Sequence, residues 1–175
     1  MNRTRVFVLG PLVLATVALA QVVGVQGAKG EGAALSEDGR HGQFAFDVKK
    51  VHLSNTTTEV GGHLRFESES PATSSHGARH VLIEMDRAHV FAKNENVAEF
   101  GGPATIVVRT RLESIRRRGR LSVWVQDNRR PIDPNLRPPD VIRLQFFTEN
   151  STGPFYAFAG KVGRGDILVY ERRDK

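Results

Sequence analysis

The chain has 175 residues, of which 39% are hydrophobic, contains no cysteine, and carries a formal net charge of +6 at pH 7. The missing cysteine excludes disulfides, thiolate metal sites and a thiol nucleophile, so packing and hydrogen bonds must stabilise the fold. The mild positive charge favours weak attraction to anionic surfaces and by itself defines no partner.

The first residues have the pattern of an export signal. Arg3 and Arg5 precede an apolar run, Val6–Ala20, which ends in the small-x-small form of a cleavage site. This pattern predicts a signal peptide over residues 1–20, with residue 27 as the latest alternative boundary. We therefore expect a secreted or periplasmic protein, and an exported domain without cysteine favours a bacterial source.

An uncleaved N-terminal membrane anchor is the alternative. The stretch Val6–Val25 is long enough to cross a bilayer as a helix. Gly10-Pro11 would interrupt that helix, which favours the cleaved signal. We expect membrane contact only if the signal stays uncleaved.

Residues 21–42 are predicted to form a flexible linker. From Ala28 to Gly42 the chain is mostly Gly, Ala, Ser and charged residues, and Leu35 is its only large hydrophobic residue. Such a segment buries too little apolar surface to order itself.

Short apolar runs separated by turn-forming residues begin at residue 43. The alternation typical of half-buried strands is clearest at Phe44, Phe46 and Val48, and again at Val81, Ile83 and Met85. We predict an all-β fold, a single antiparallel β-sandwich or barrel-like domain of eight to nine strands over residues 43–173. A proline-rich loop near residues 131–139 favours the sandwich, with that loop protruding.

One hairpin is predicted in the second half of the chain, with its turn within Arg116–Gly119. That turn places Leu112 and Ser114 on the apolar face of the following strand, which carries Leu121, Val123 and Val125. The opposite face then carries Arg109, Arg111, Arg120 and Trp124.

Three segments carry a family resemblance: LSVWVQDNRRP at Leu121–Pro131, DVIRLQF at Asp140–Phe146, and FYAFAGKVGRGDILVYE at Phe155–Glu171. The chain resembles the post-COAP family of small β-rich domains in exported bacterial proteins. The matching features are Asp127-Asn128 at a strand end, Asp140 at a strand start, and a closing Gly163-to-Ile167 hairpin. The resemblance implies an exported β domain and assigns no catalytic residue.

Glu84 and Asp86 are the candidate catalytic residues. Alternate strand positions put the two carboxylates on one face, about 7 Å apart at the backbone. Retaining glycosidases use two carboxyl groups about 5 to 5.5 Å apart. A small glycan-active hydrolase is therefore one alternative function, although a solvated outer face is the simpler interpretation.

The candidate metal ligands are His80, His52 and His63. A metal site needs two or three converging imidazoles or carboxylates. His52 and His63 could face each other across the first hairpin, and His80 shares a strand face with Glu84 and Asp86. Surface histidines are the simpler interpretation, and we predict no metal and no cofactor.

Arginines are concentrated in the second half of the chain, where Arg116, Arg117 and Arg118 are consecutive. The candidate residues for binding polyanions are Arg116, Arg117, Arg118, Arg109, Arg111 and Trp124. Their partners outside the cytoplasm would be anionic envelope or extracellular polymers, and export excludes cytoplasmic nucleic acid. Charged residues also keep strand edges from pairing with other chains, which is the structural interpretation.

The sequence leads to an exported non-catalytic β-domain that acts as a surface, envelope or extracellular interaction module. The alternatives are the hydrolase above and a β-barrel that binds a small apolar ligand. A ligand-binding barrel needs spare interior volume. The sequence instead supplies large inward candidates such as Phe44, Phe46, Phe146 and Phe158.

Overall fold

The computed structural model of this protein describes residues 21–54, 56–70, 79–128 and 138–173. The described residues form nine β-strands and no helix. The strands are β1 (Val22–Ser36), β2 (His41–Leu53), β3 (Thr58–Ser70), β4 (Arg79–Met85), β5 (Val90–Asn94), β6 (Val97–Arg109), β7 (Ser114–Gln126), β8 (Val141–Thr148) and β9 (Tyr156–Arg173).

All nine strands belong to one antiparallel sheet with the order β4-β3-β2-β1-β9-β8-β7-β6-β5. β4 also pairs with β6, which closes the sheet on itself. β4 lies along Thr105–Arg109 and β5 along Val97–Gly101 of the same strand, so β4 and β5 act as one interrupted strand. The predicted all-β, antiparallel fold of eight to nine strands is confirmed. Of the two architectures considered, the closed sheet is the barrel-like one, and the described residues do not divide into the two sheets of the preferred sandwich.

The linker prediction is wrong over Val22–Ser36, because this segment is strand β1 and pairs with β2 on one side and β9 on the other. Small residues of β1 leave room for the bulky side chains of its neighbours. A Cβ atom added to Gly30 would lie 2.9 Å from the ring of Phe46. β1 therefore gains its order from two partners rather than from its own apolar side chains.

Only part of the predicted N-terminal region falls within the described residues. The signal peptide over residues 1–20 lies outside the described residues. The alternative boundary at residue 27 would remove the first part of β1, and Val22–Val25, assigned above to a possible anchor helix, is β-strand.

Side chains fill the interior of the barrel. The inward faces predicted from alternation are confirmed, since Phe44, Phe46 and Val48 are buried, as are Val81, Ile83 and Met85. Aromatic pairs span the interior, with ring centroids 5.2 Å apart for Phe46 and Phe100 and 4.9 Å apart for Phe66 and Phe158. At these two levels the interior is therefore occupied by aromatic side chains.

The predicted turn of the β6–β7 hairpin is also wrong. The two strands are joined at Thr110–Glu113, where the Thr110 Oγ1 accepts the N–H groups of Leu112 and Glu113. Arg116–Arg118 therefore lie within β7, not at a hairpin tip. Gly119 is packed inside, where an added Cβ would approach the ring of Phe146 to 2.9 Å. The inward face of Leu121, Val123 and Val125 is nevertheless confirmed, because all three are buried.

The barrel has two rims, named here by their turns. The hairpin rim carries the β1–β2, β6–β7 and β8–β9 turns. The opposite rim carries the β2–β3 and β5–β6 turns together with Gln21 and Arg173, the first and last described residues.

Candidate functional site: an arginine-rich face of the barrel

Strand β7 presents a row of cations on the outside of the barrel. Arg116, Arg118 and Arg120 are exposed and alternate with the inward positions that continue to Leu121 and Val123. Because successive side chains of a strand point to opposite faces, these three arginines lie on one outer face, about 7 Å apart at the backbone.

Strand β8 extends this row. In the β7–β8 register Trp124 is opposite Arg143 and Arg120 is opposite Phe147. The Arg143 guanidinium lies 4.8 Å from the centroid of the Trp124 ring, and that of Arg120 lies 5.6 Å from Phe147. Both distances are typical of cation–π contacts. We call the outward set Arg116, Arg118, Arg120, Trp124 and Arg143 the arginine face.

The charge of the arginine face is not neutralised within the described part of the chain, where none of its arginines forms an ion pair with a carboxylate. Other arginines behave differently. Arg65, for example, lies 2.7 Å from a carboxylate oxygen of Glu67 and 3.0 Å from one of Glu84. The guanidinium groups of the arginine face are therefore available to an external anion.

Among the surface grooves that flank the arginine face, two contain its arginine–aromatic pairs. The larger one, of about 930 Å³, includes Val90, Pro103, Arg120 and Phe147 in its walls. The second, of about 430 Å³, lies on the other side, where Trp124 and Arg143 face Arg40 across Ala157 and Ala159. The arginine face thus continues into concave surfaces on both sides.

Arg40 forms a fixed wall of the second groove. Its guanidinium donates to the Asp38 carboxylate at 2.8 Å and to the backbone oxygen of Ala157 at 2.8 Å. Hydrogen bonds from Arg40, together with one from Ser36, lower the pKa of Asp38 from 3.8 to about 2. Because Asp38 stays ionised, the charge of Arg40 is already compensated, and Arg40 is not counted in the arginine face.

The structure separates the predicted polyanion-binding residues. Arg116 and Trp124 share the arginine face with Arg118, whereas Arg117 points the other way, with its guanidinium 5.4 Å from the centroid of the Phe155 ring. Arg109 and Arg111 are exposed at the β6–β7 turn. Sequence reasoning missed Arg143 as a site residue, although its place between the apolar Ile142 and Leu144 indicates an outward position.

Glu84 and Asp86 do not form a catalytic cleft. Glu84 is exposed on β4, where its carboxylate accepts a hydrogen bond from Arg65 at 3.0 Å. Asp86 is exposed just beyond the end of β4. Neither side chain lines either groove beside the arginine face.

The candidate metal ligands are dispersed. His52 is opposite Thr58 and His63 is opposite Asp47, about 17 Å apart along the β2–β3 ladder. His80 lies on another strand, opposite Glu69 and Arg109. Within the described ranges, no three His, Asp or Glu side chains gather closely enough to hold a metal ion.

Two carboxylates near the opposite rim have a structural role. β8 pairs with β9 only as far as Val141 and Lys161. Beyond that point the Asp140 carboxylate accepts the N–H of Ile167 at 2.9 Å, and the Asp127 carboxylate accepts that of Val169 at 3.1 Å. These carboxylates accept backbone N–H groups of β9 at positions where β9 has no β8 residue opposite. Both lie within the segments that resemble the post-COAP family.

In the part of the chain with described coordinates, no helix is long and apolar enough to span a membrane. Searches of family models, curated proteins and solved structures find no match to this chain. The resemblance to the post-COAP family therefore stays a prediction.

Proposed function

We propose that this protein is an exported, non-catalytic interaction domain that binds anionic polymers or surfaces through the arginine face. Export is supported by the signal-like pattern of residues 1–20. The binding role is supported by the arrangement of β7 and β8.

One observation carries the proposal: exposed arginines are aligned on one outer face and have no partner carboxylate among the described residues. Guanidinium groups form paired hydrogen bonds with carboxylate, sulfate and phosphate groups. Three of them in a row along β7 match a ligand with repeated negative charges better than a single small anion. Trp124 and Phe147 hold two guanidinium groups against aromatic rings, which limits the conformational freedom lost on binding.

The hydrolase alternative has weaker support. Its two carboxylates lie outside the grooves, and Glu84 is engaged by Arg65. Catalytic sites are generally concave and hold their reacting groups at a defined separation. No comparable arrangement involves Glu84 and Asp86.

The test is binding to immobilised heparin by the double variant Arg118→Ser/Arg120→Ser. We expect about a tenfold loss of affinity, because charge-assisted hydrogen bonds are among the stronger polar contacts. The matched control is Lys29→Ser/Lys49→Ser, which removes the same charge from exposed positions on β1 and β2. The control should change affinity by less than about twofold, since no cation row is altered.

Circular dichroism would establish that both variants keep the β fold. Equal losses in the two variants would mean that net charge alone drives binding, which would contradict a specific face. A wild-type protein that binds neither heparin nor anionic phospholipid vesicles at low salt would overturn the proposal.

A further inference from the structure

The tip of the β6–β7 hairpin combines an exposed apolar side chain with a cluster of cations. Leu112 is 95% exposed, the most exposed of the large hydrophobic residues in the described ranges. Its backbone N–H donates to the Thr110 Oγ1, so the residue belongs to an ordered turn. Because Leu112 is not packed against the protein, core packing does not explain why an apolar residue occupies this position.

Cations dominate the charge around Leu112. The segment from residue 109 to 118 contains five arginines and one glutamate, Glu113. The arginines are Arg109, Arg111, Arg116, Arg117 and Arg118, and all five are exposed. None of them pairs with a carboxylate among the described residues.

The hairpin also extends past its neighbour on one side. β7 pairs with β8 only from Gly119 onward, so no described strand lies on that side of Ser114–Arg118. Phe155, which is 41% exposed, lies beneath the Arg117 guanidinium and adds a second apolar group at this rim. Glu149 is the acidic residue of the adjoining β8–β9 turn.

We infer that this hairpin docks the protein onto an anionic phospholipid bilayer, with Leu112 inserted at the boundary between headgroups and acyl chains. Anionic membranes attract clustered arginines, and an apolar side chain within such a cluster gains from leaving water. A dissolved anionic polymer would engage the arginines and leave Leu112 in water. The observations therefore favour a bilayer over a polymer as the occupant of the tip.

This inference rests on the proposed function, because Arg116 and Arg118 belong both to the arginine face and to the tip of the β6–β7 hairpin. It adds a membrane contact that does not require an uncleaved signal. Gln21 and Arg173 lie at the opposite rim, so docking by the hairpin leaves both ends of the described chain facing away from the bilayer. An affinity tag after Lys175 would for that reason leave the tip accessible.

The first experiment measures co-sedimentation with vesicles of equal parts phosphatidylcholine and phosphatidylglycerol, and with pure phosphatidylcholine vesicles as the uncharged reference. Leu112→Asn should weaken binding to the anionic vesicles about tenfold, given the value of burying a leucine side chain. Arg111→Ser/Arg116→Ser should weaken it about fivefold per arginine. Val23→Asn is the matched control, because Val23 is also apolar and is 46% exposed but lies at the start of β1, at the opposite rim and away from both grooves beside the arginine face.

The second experiment uses the absence of cysteine, which makes an introduced thiol unique. A polarity-sensitive fluorophore attached to Leu112→Cys should shift to shorter wavelength on anionic vesicles and be quenched by lipids with a quencher in the acyl chain. The same fluorophore on Val23→Cys, at the opposite rim, should show neither change.

Heparin binding, measured on the same proteins, separates the two proposals. Loss of vesicle binding by Leu112→Asn with heparin affinity unchanged supports the inference. Wild-type vesicle affinity in Leu112→Asn, or heparin binding without any vesicle binding, overturns the inference and leaves the proposed function standing. Binding to neither heparin nor anionic vesicles overturns both.

Discussion

At the scale of single residues, Asp140 has an essential structural role. Its carboxylate accepts the N–H groups of Asn128 and Ile167, at 2.8 and 2.9 Å, where β9 has run past the start of β8. An unsatisfied backbone N–H that cannot reach water costs about 1 to 3 kcal/mol. Asp140 therefore anchors both the end of β7 and the middle of β9.

We expect Asp140→Ala to lower the free energy of unfolding by about 2 to 4 kcal/mol, because two N–H groups lose their acceptor. Asp86→Ala, at an exposed position, should change it by less than about 0.5 kcal/mol. Urea unfolding followed by circular dichroism measures both. Equal effects of the two substitutions would contradict the role given to Asp140.

The ionisation of Asp38 makes the free energy of unfolding depend on pH. Its pKa falls from 3.8 to about 2 in the folded protein, first through the hydrogen bond with Arg40. A lowered pKa means that the folded state binds protons less readily than the unfolded state, so the stabilisation is complete above the unfolded value and disappears as pH falls toward 2. The carboxylate is more than half exposed, so we expect this contribution to stay below about 1 kcal/mol.

Asp38→Asn should be less stable than the wild type above about pH 5 and equally stable near pH 2. Urea unfolding at several pH values between these limits measures the convergence. A difference in unfolding free energy that stays constant down to pH 2 would show that the ion pair is not its cause.

At the scale of elements, β1 shows that a strand can be ordered by its neighbours. Its sequence contains four glycines, Gly24, Gly27, Gly30 and Gly32, yet it pairs along its length with β2 and β9. The interior above it is filled from β2 by Phe46. The composition of β1 predicts a flexible segment, because it offers little apolar surface to bury. Its observed order comes from backbone pairing with β2 and β9 and from the side chains of those neighbours.

Limited trypsin digestion of the native protein should spare the bond after Lys29, because a strand paired on both sides does not fit a protease cleft. A flexible linker would be cut there within the first minutes. The urea-unfolded protein serves as the control and should be cleaved at Lys29 by the same enzyme. Rapid cleavage in the native state would restore the linker interpretation.

The β1–β9 register shifts between Ala33 and Ala34, and the two glycines of β9 near this shift differ in how much space and which backbone conformation they need. Gly165 has a φ of +90°, and an added Cβ would lie 2.1 Å from the backbone oxygen of Glu31. Gly163 is exposed, and an added Cβ would meet no atom within 4 Å. We expect Gly165→Ala to cost about 2 kcal/mol or more and Gly163→Ala less than about 1 kcal/mol. Chemical unfolding of the two variants measures the difference, and similar values would contradict the backbone assignment at Gly165.

At the scale of the whole molecule, closure depends on pairs that are distant in sequence. β1 pairs with β9, and β4 meets β6 to complete the ring. Aromatic contacts such as Phe46 with Phe100 connect opposite walls. Each wall therefore supports the others, and no part of the ring has an independent core.

We expect the protein to unfold in one cooperative step. Urea transitions followed by the fluorescence of Trp124 and by far-ultraviolet circular dichroism should coincide, because loss of one strand opens the whole ring. Folding should be slow for a chain of this size, since the closing contacts are non-local. Two separated transitions would show that the barrel contains independent units.

The strand class and the inward faces of β2, β4 and the second half of β7 could be predicted from the sequence alone, because alternation is a local property of each strand. Phe44, Val81 and Leu121 are buried as alternation predicts. Tertiary structure decided the rest: that β1 is a strand, that the hairpin turns at Thr110–Glu113, and that Arg143 stacks on Trp124. These features depend on the register between strands and on the space that a neighbouring strand leaves. Both are relations between segments distant in the chain, so neither segment's own sequence predicts them.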